Sequence, residues 1–255
     1  MNAVLYTERV EFILQQLQLG ANVKVGELAE LMNVSLDTVR RDLKSMEQAG
    51  LVKYVRGGAC LPETLAAISH FSGREVIHID KKRQAAVKAL QYIRPGMVIA
   101  MNSGTTNTVL AQEIVKRFSD LTVVTNNLAA ASVLMQNQKI RTILVGGELD
   151  AMERSTFGHT CEEEFARYTP DCAFLSINAV DDRIGYSDFR FSEIGVIQTL
   201  ANHARQVIAV MDSSKLGRQS KKQVFPLNCV NILVMDDAVS EKIKKQYTAA
   251  GGNIQ

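Results

Sequence analysis

Residues Ser35 to Leu43 read SLDTVRRDL, and two adjacent arginines, Arg40 and Arg41, interrupt what is otherwise an amphipathic helix. Ser35 suits the N-cap position, because its hydroxyl can accept a hydrogen bond from an unpaired amide of the first turn. Leu36, Val39, Leu43 and Met46 recur at spacings of three and four and form the expected buried stripe. Thr38, Arg40, Arg41 and Lys44 fall off that stripe, and Gly50 is placed to end the helix. Two readings compete for the arginines. One is a solvated face stabilised by pairs such as Asp37 with Arg41 at i,i+4. The other is a grip on nucleic acid, and the flanking segments decide between them.

Upstream, Val10, Ile13, Leu14 and Leu17 give a helical period from Thr7 to Leu19, broken at Gly20. VGELAELM then sets Val25, Leu28, Ala29 and Met32 on one face, and a short Asn33-Val34 connection leads to Ser35. Two helices joined by so tight a turn have helix-turn-helix geometry. Downstream, LVKYVRGGAC supplies Leu51, Val52, Tyr54 and Val55 for a short strand and Gly57-Gly58 for a hairpin turn. A hairpin there acts as a wing that brings Lys53 and Arg56 to a phosphate backbone.

Bulk charge is silent, since basic and acidic residues balance over 1–60 and the whole chain carries +2. Distribution is informative. Between Thr38 and Arg56, the basic residues Arg40, Arg41, Lys44, Lys53 and Arg56 are set against Asp42 and Glu47 alone, a local basic excess.

The 255 residues accommodate a domain of about 60 residues joined to a larger one. A hydrophobic share of 46% with only 4 prolines describes a chain that folds throughout. No apolar run reaches the roughly 18 residues that a membrane span needs, and MNAVLYTERVEF lacks the pattern of a secretory leader, so the expected compartment is the cytoplasm. Cys60, Cys161, Cys172 and Cys229 lie far apart and read as buried, reduced thiols. His70, His78, His159 and His203 are scattered; His159 with Cys161 is a two-ligand fragment without a second pair, so no metal site is expected.

Residues 61–80 contain Pro62 and Gly73 without a sustained period and read as a connector. From Lys81 helical runs alternate with β-branched runs such as MVIAM, LTVVT, IRTILV and QVIAVM, the pattern of a mostly parallel sheet in an α/β domain spanning 81–255. Ligands in such folds collect beyond the carboxyl ends of strands. Three strand ends carry small polar or glycine residues: Asn102-Ser103-Gly104-Thr105-Thr106, Thr125-Asn126-Asn127 and Gly146-Gly147-Glu148. Amides at a helix N-terminus together with hydroxyls favour an anion.

The run VSLDTVRRDLKSMEQAGLVKYVRGGA closely resembles the N-terminal module of the DeoR-type bacterial transcriptional regulators. The SGTT loop, VVTNN, LVGGE, Glu193 and the run Asp212-Ser213-Ser214-Lys215-Leu216-Gly217 resemble motifs of that family's second domain, so the likeness spans nearly the whole chain. The resemblance implies a winged helix-turn-helix contacting double-stranded DNA through Ser35, Thr38, Arg40, Arg41 and Lys44. It also implies a second domain similar in fold to ribose-5-phosphate isomerase that binds a phosphorylated sugar or related metabolite. Ser103, Gly104, Thr105 and Thr106 would hold the phosphate, with Asn126, Glu193, Asp212 and Lys215 around the remaining polar groups and Asn102, Thr125, Gly146 and Gly147 in the surrounding loops. Two positions depart from the family pattern: Asn102, where an aspartate is usual, and the neighbourhood of Ala179, where a glycine is usual. The expected protein is a homo-oligomeric repressor of a carbohydrate operon, not an enzyme and without a cofactor. The alternative, a sugar-phosphate isomerase with an added DNA-binding domain, would draw its acid, base and charge-stabilising groups from Asp181, Asp182, Glu193 and Lys215.

Overall fold

The computed structural model of the chain describes residues 6–19, 22–48, 51–60 and 71–255. It divides into two compact units, Met1–Ile79 and Asp80–Gln255.

In the first unit, α1 (Tyr6–Leu19), β1 (Asn22–Lys24), α2 (Val25–Met32) and α3 (Leu36–Gln48) precede the hairpin of β2 (Lys53–Val55) and β3 (Gly58–Cys60). The expected apolar faces of α1 and α2 close one core with Val39, Leu43 and Met46 of α3 and Leu51, Val52 and Ala59 around the hairpin. Asn33 closes α2 in the left-handed conformation at φ 53, which allows the tight turn into α3. Strand β3 lies between β1 and β2 in an antiparallel sheet.

The hairpin turn falls one residue earlier than the Gly57-Gly58 reading: Val55 pairs with Gly58, leaving Arg56-Gly57 as the two-residue loop. Each glycine has its own reason. Gly57 has φ +86, whereas a Cβ on Gly58 would run into the Val23 carbonyl of β1.

The connector reading needs correction in its second half. Phe71–Val76 form a short helix, α4, with Phe71 and Gly73 buried. Val76 and Ile77 pack on the first core, and the His78 amide donates to Glu11 Oε1 at 3.1 Å. Six residues including a glycine are too few to display a period. The expected breaks at Gly20 and Gly50, the segment 61–70 and His70 lie outside the described residues.

The second unit begins one residue into α5 (Ile79–Ala89) and is built on six parallel strands: β4 (Val98–Met101), β5 (Leu121–Thr125), β6 (Ile140–Leu144), β9 (Cys172–Leu175), β12 (Gln206–Val210) and β14 (Ile232–Val234). Their spatial order is β14-β12-β9-β4-β5-β6. The chain lays down β4, β5 and β6 outward in one direction, then returns to lay β9, β12 and β14 in the other. The strand order therefore reverses between β4 and β9, the point where such sheets form a crevice. Ile99, Met101, Val123 and Phe174 alternate with Ala100, Val124, Ala173 and Leu175, and all are buried, which is why these strands read as unbroken apolar runs.

The helices are α6 (Thr105–Arg117), α7 (Leu128–Leu134), α8 (His159–Ala166), α9 (Phe191–His203) and α10 (Glu241–Ala249). Two antiparallel additions were absent from the sequence reading: the hairpin of β7 (Glu148–Asp150) with β8 (Ser155–Phe157), and a sheet of β10 (Ala179–Asp181), β11 (Gly185–Asp188) and β13 (Lys222–Phe225). Of the four cysteines, Cys161 and Cys172 are buried as expected, but Cys60 is half-buried and Cys229 is exposed. Among the described residues no helix is long and apolar enough to cross a membrane.

Candidate nucleic-acid interface and effector site

The start of α3 is held by side chains of its own sequence. The Ser35 hydroxyl accepts from the Thr38 amide at 3.1 Å, as an N-cap should, and lies 2.8 Å from the Thr38 hydroxyl. The buried stripe is Val39, Asp42, Leu43 and Met46. Leu36, expected on that stripe, is instead 46% exposed, and Asp42 takes a place inside at 3%. The charge on Asp42 is tolerated because Arg9 of α1 forks onto it, Nε to Oδ2 at 2.6 Å and Nη2 to Oδ1 at 2.9 Å. Asp37 pairs with Arg40 at 3.0 Å, one turn position earlier than the expected partner Arg41.

Arg40, Arg41 and Lys44 are exposed, as are Lys53 and Arg56 on the hairpin. The two acids counted against this basic group both have internal duties. Asp42 is paired with Arg9, and Glu47 accepts the Tyr54 amide at 2.7 Å, tying the wing to α3. Among the described residues, only Asp42 of the two is neutralised by a cation outside the group, while Asp37 pairs with Arg40.

In the second unit, the ends of β4, β5 and β9 meet in a network of buried polar groups. The Asn102 amide donates to the Ser176 carbonyl at 3.1 Å and accepts from the Ser176 amide at 2.8 Å, bridging the strands on either side of the reversal. It also donates to Glu193 Oε2 at 3.4 Å, while Asn126 donates to Glu193 Oε1 at 2.9 Å. Asn107 reaches back to the Asn102 and Phe174 carbonyls at 3.0 and 2.9 Å. Thr125 donates to the Met101 carbonyl at 2.7 Å, and Asn127 caps α7 through the Ala130 amide while donating to the Gly104 carbonyl at 3.1 Å.

Gly104 is the N-cap of α6 at φ +145 and offers no side-chain acceptor to the first-turn amides. A Cβ at this position would run into the Ser176 side chain. Ser103, Thr105 and Thr106 flank it, all buried, and the Ser103 hydroxyl donates to the Glu153 carbonyl at 3.3 Å.

Arg190 is the group that the sequence reading missed. It is buried at the N-cap of α9 and forks onto Asp188, Nε to Oδ1 at 3.0 Å and Nη2 to Oδ2 at 2.7 Å. Its remaining donors reach the Ser103 and Ser176 carbonyls at 3.0 and 2.9 Å. Burial works against the charge of Arg190, but Asp188 outweighs it and the guanidinium is held above its ordinary value. Glu193 moves upward because it is buried, although Arg190 and the Asn126 and Asn102 amides oppose the shift. A basic residue inside the apolar run Phe189-Arg190-Phe191, three positions before an acid, was the available signal.

The other expected site residues fall into three places. Asp212 is buried at the end of β12, where it caps the short helix Ser213–Lys215, and Lys215 is half-buried beside it. Gly146 and Gly147 are exposed beyond β6, outside the hydrogen-bonded network around Asn102. Asp181 holds the turn of the β10–β11 hairpin by accepting the Arg183 and Ile184 amides, and Asp182 bonds to Gln246, so neither is engaged with the Glu193 network.

A helix-turn-helix with a basic wing, followed by a parallel α/β unit with a buried polar network at its strand reversal, defines a DNA-binding transcriptional regulator with a sensor domain. Residues 9–64 match the DeoR-like helix-turn-helix domain and residues 77–237 match the DeoR C-terminal sensor domain. The chain belongs to the DeoR family of transcriptional regulators.

Among its relatives is the HTH-type transcriptional repressor GlcR of Bacillus subtilis, 30% identical over 90% of this chain and 88% of the relative. The glycerol-3-phosphate regulon repressor of Escherichia coli is 28% identical over 90% of each chain. Among solved structures, a ribose 5-phosphate isomerase from Methanocaldococcus jannaschii aligns with 54% of this chain and 54% of its own, at 18% identity and a TM-score of 0.41.

Proposed function

We propose that this regulator represses a carbohydrate operon and is controlled by a phosphorylated sugar or related metabolite bound at the strand reversal of its second unit. The carrying observation is the start of α6. A glycine cap leaves the first-turn amides without a side-chain acceptor, at the one place in the sheet where strand order reverses. Ser103, Gly104, Thr105 and Thr106 receive the phosphate, while Asn102, Asn126 and Glu193 orient the rest of the ligand. The half-buried Lys215, at the next strand end but one, supplies a cation for the anionic ligand. The names of the relatives, a glycerol-3-phosphate regulon repressor among them, agree with this ligand class.

On the DNA side, Ser35, Thr38, Arg40, Arg41 and Lys44 face the major groove and Lys53 and Arg56 face the backbone. The protein acts as a homo-oligomer, because paired half-sites on DNA ask for matching protein symmetry. The effector works by binding the DNA-competent and DNA-incompetent states unequally.

The test pairs two measurements on the full chain. A thermal-shift screen against pentose, hexose and triose phosphates should reveal a ligand that raises the melting temperature, since binding to the folded state stabilises it by mass action. That ligand should then change affinity for the DNA upstream of the protein's own gene but not for random DNA. A screen without any stabilising phosphate, or DNA affinity indifferent to sequence, would refute the proposal.

A further inference from the structure

We infer that Leu36 reads the methyl group of a thymine in the operator. The inference rests on the DNA-binding reading of α3 and adds a base-level determinant to it. The helical period of SLDTVRRDL assigns Leu36 to the core, yet the structure turns it out to 46% exposure and seats Asp42 inside instead. Leu36, Arg40 and Lys44 follow one another at intervals of four and are all exposed, so they form a single ridge along the helix.

The apolar member of that ridge occupies the first helical position, and the N-terminal residues of a recognition helix are the ones that reach base edges. The neighbouring polar groups are held in place around it. Ser35 and Thr38 bond to each other, and Asp37 draws the Arg40 guanidinium back toward this end of the helix at 3.0 Å. A donor fork and a branched apolar side chain therefore stand side by side at the leading end of α3. In the major groove the apolar feature that separates one base pair from the others is the thymine C5-methyl, which aliphatic side chains contact. Burying Leu36 against it removes apolar surface of both partners from water.

The experiment uses the full-length protein. Its binding site is first selected from a random duplex pool, and each thymine of that site is then replaced singly by deoxyuridine, which lacks only the methyl. One thymine per half-site should prove sensitive, its replacement weakening wild-type binding about fourfold, the effect of one buried methyl group. In Leu36→Ala the same replacement should change affinity less than twofold, whereas Leu36→Met, which keeps an apolar reach, should retain part of the sensitivity. Because the position is exposed, circular dichroism and melting temperature should match the wild type in both variants. Indifference of the wild type to every thymine methyl, or a sensitivity that persists undiminished in Leu36→Ala, would overturn the inference while leaving DNA binding intact. Failure to enrich any sequence would instead remove the DNA-binding reading, and this inference with it.

Discussion

The basic side chains proposed to contact DNA in the first unit stand in solvent, whereas the polar groups at the strand ends of the second are buried in a hydrogen-bonded network. Arg40, Arg41, Lys44, Lys53 and Arg56 are exposed; Asn102, Ser103, Asn126, Asp188, Arg190 and Glu193 are all buried. The difference suits what each region is proposed to recognise. A duplex is a large anionic surface that comes to the protein, so exposed cations on a rigid scaffold suffice. A small metabolite must be distinguished by a few fixed polar groups, and buried groups stay fixed only when each has its partners. In the first unit the pair of Arg9 with the buried Asp42 links α1 to α3.

This contrast can be broken most severely at Arg190. Arg190→Met should leave Asp188 buried without its cation and destabilise the second unit by about 3 to 5 kcal/mol, read as a lower denaturant midpoint for that unit. A loss below about 1 kcal/mol would show that the network is less tightly coupled than its geometry implies.

At the corresponding place in the first unit, Arg9→Ala should cost about 2 kcal/mol, because it removes two hydrogen bonds to a buried carboxylate. DNA affinity should fall along with the melting temperature. On the exposed face, Arg41→Ala or Arg40→Ala should weaken operator binding by about 1 to 3 kcal/mol if the fork contacts a base, and the melting temperature of either variant should stay at the wild-type value. Operator affinity unchanged from wild type in both variants would return the arginine pair to a solvated face.

The mildest probe is pH. Burial holds the Glu193 carboxyl above the ordinary value, so between the unfolded and folded values the folded protein keeps a proton that the unfolded chain has released. This group's contribution is therefore most favourable below about pH 4.3 and declines as pH rises toward its folded value, by at most about 1.4 kcal/mol per unit. Comparing denaturation of wild type and Glu193→Gln across that range should show a flatter profile in the variant. Identical slopes would mean that Glu193 titrates normally despite its burial.

Much of the architecture was legible from local patterns. The three helices and wing of the first unit, and the alternation that makes the parallel sheet, follow from periods of 3.6 and 2 that each segment carries within itself. The Ser35 cap was readable because its partner, Thr38, lies three residues away. Reading failed where a side chain answers to a distant segment. Asp42 joined the buried stripe because Arg9, 33 residues upstream, supplies the counter-charge that lets an aspartate sit inside, and Leu36 at the helix start lies off that stripe. The helix Phe71–Val76 escaped notice since its six residues gain their order by packing beside α1, as the His78 bond to Glu11 illustrates.

The same division holds at the proposed effector site. Residue types and strand ends in the sequence by themselves determined which loops gather hydroxyls, amides and glycines, since these are local choices of turn and cap. Only the tertiary structure decided which of those loops meet. The reversal of strand order between β4 and β9 places Asn102 against Ser176, brings Glu193 and Arg190 from α9 onto the same strand ends, and leaves Gly146 and Gly147 outside. Strand order is set by which apolar faces bury one another across the whole domain, and no single segment carries that information.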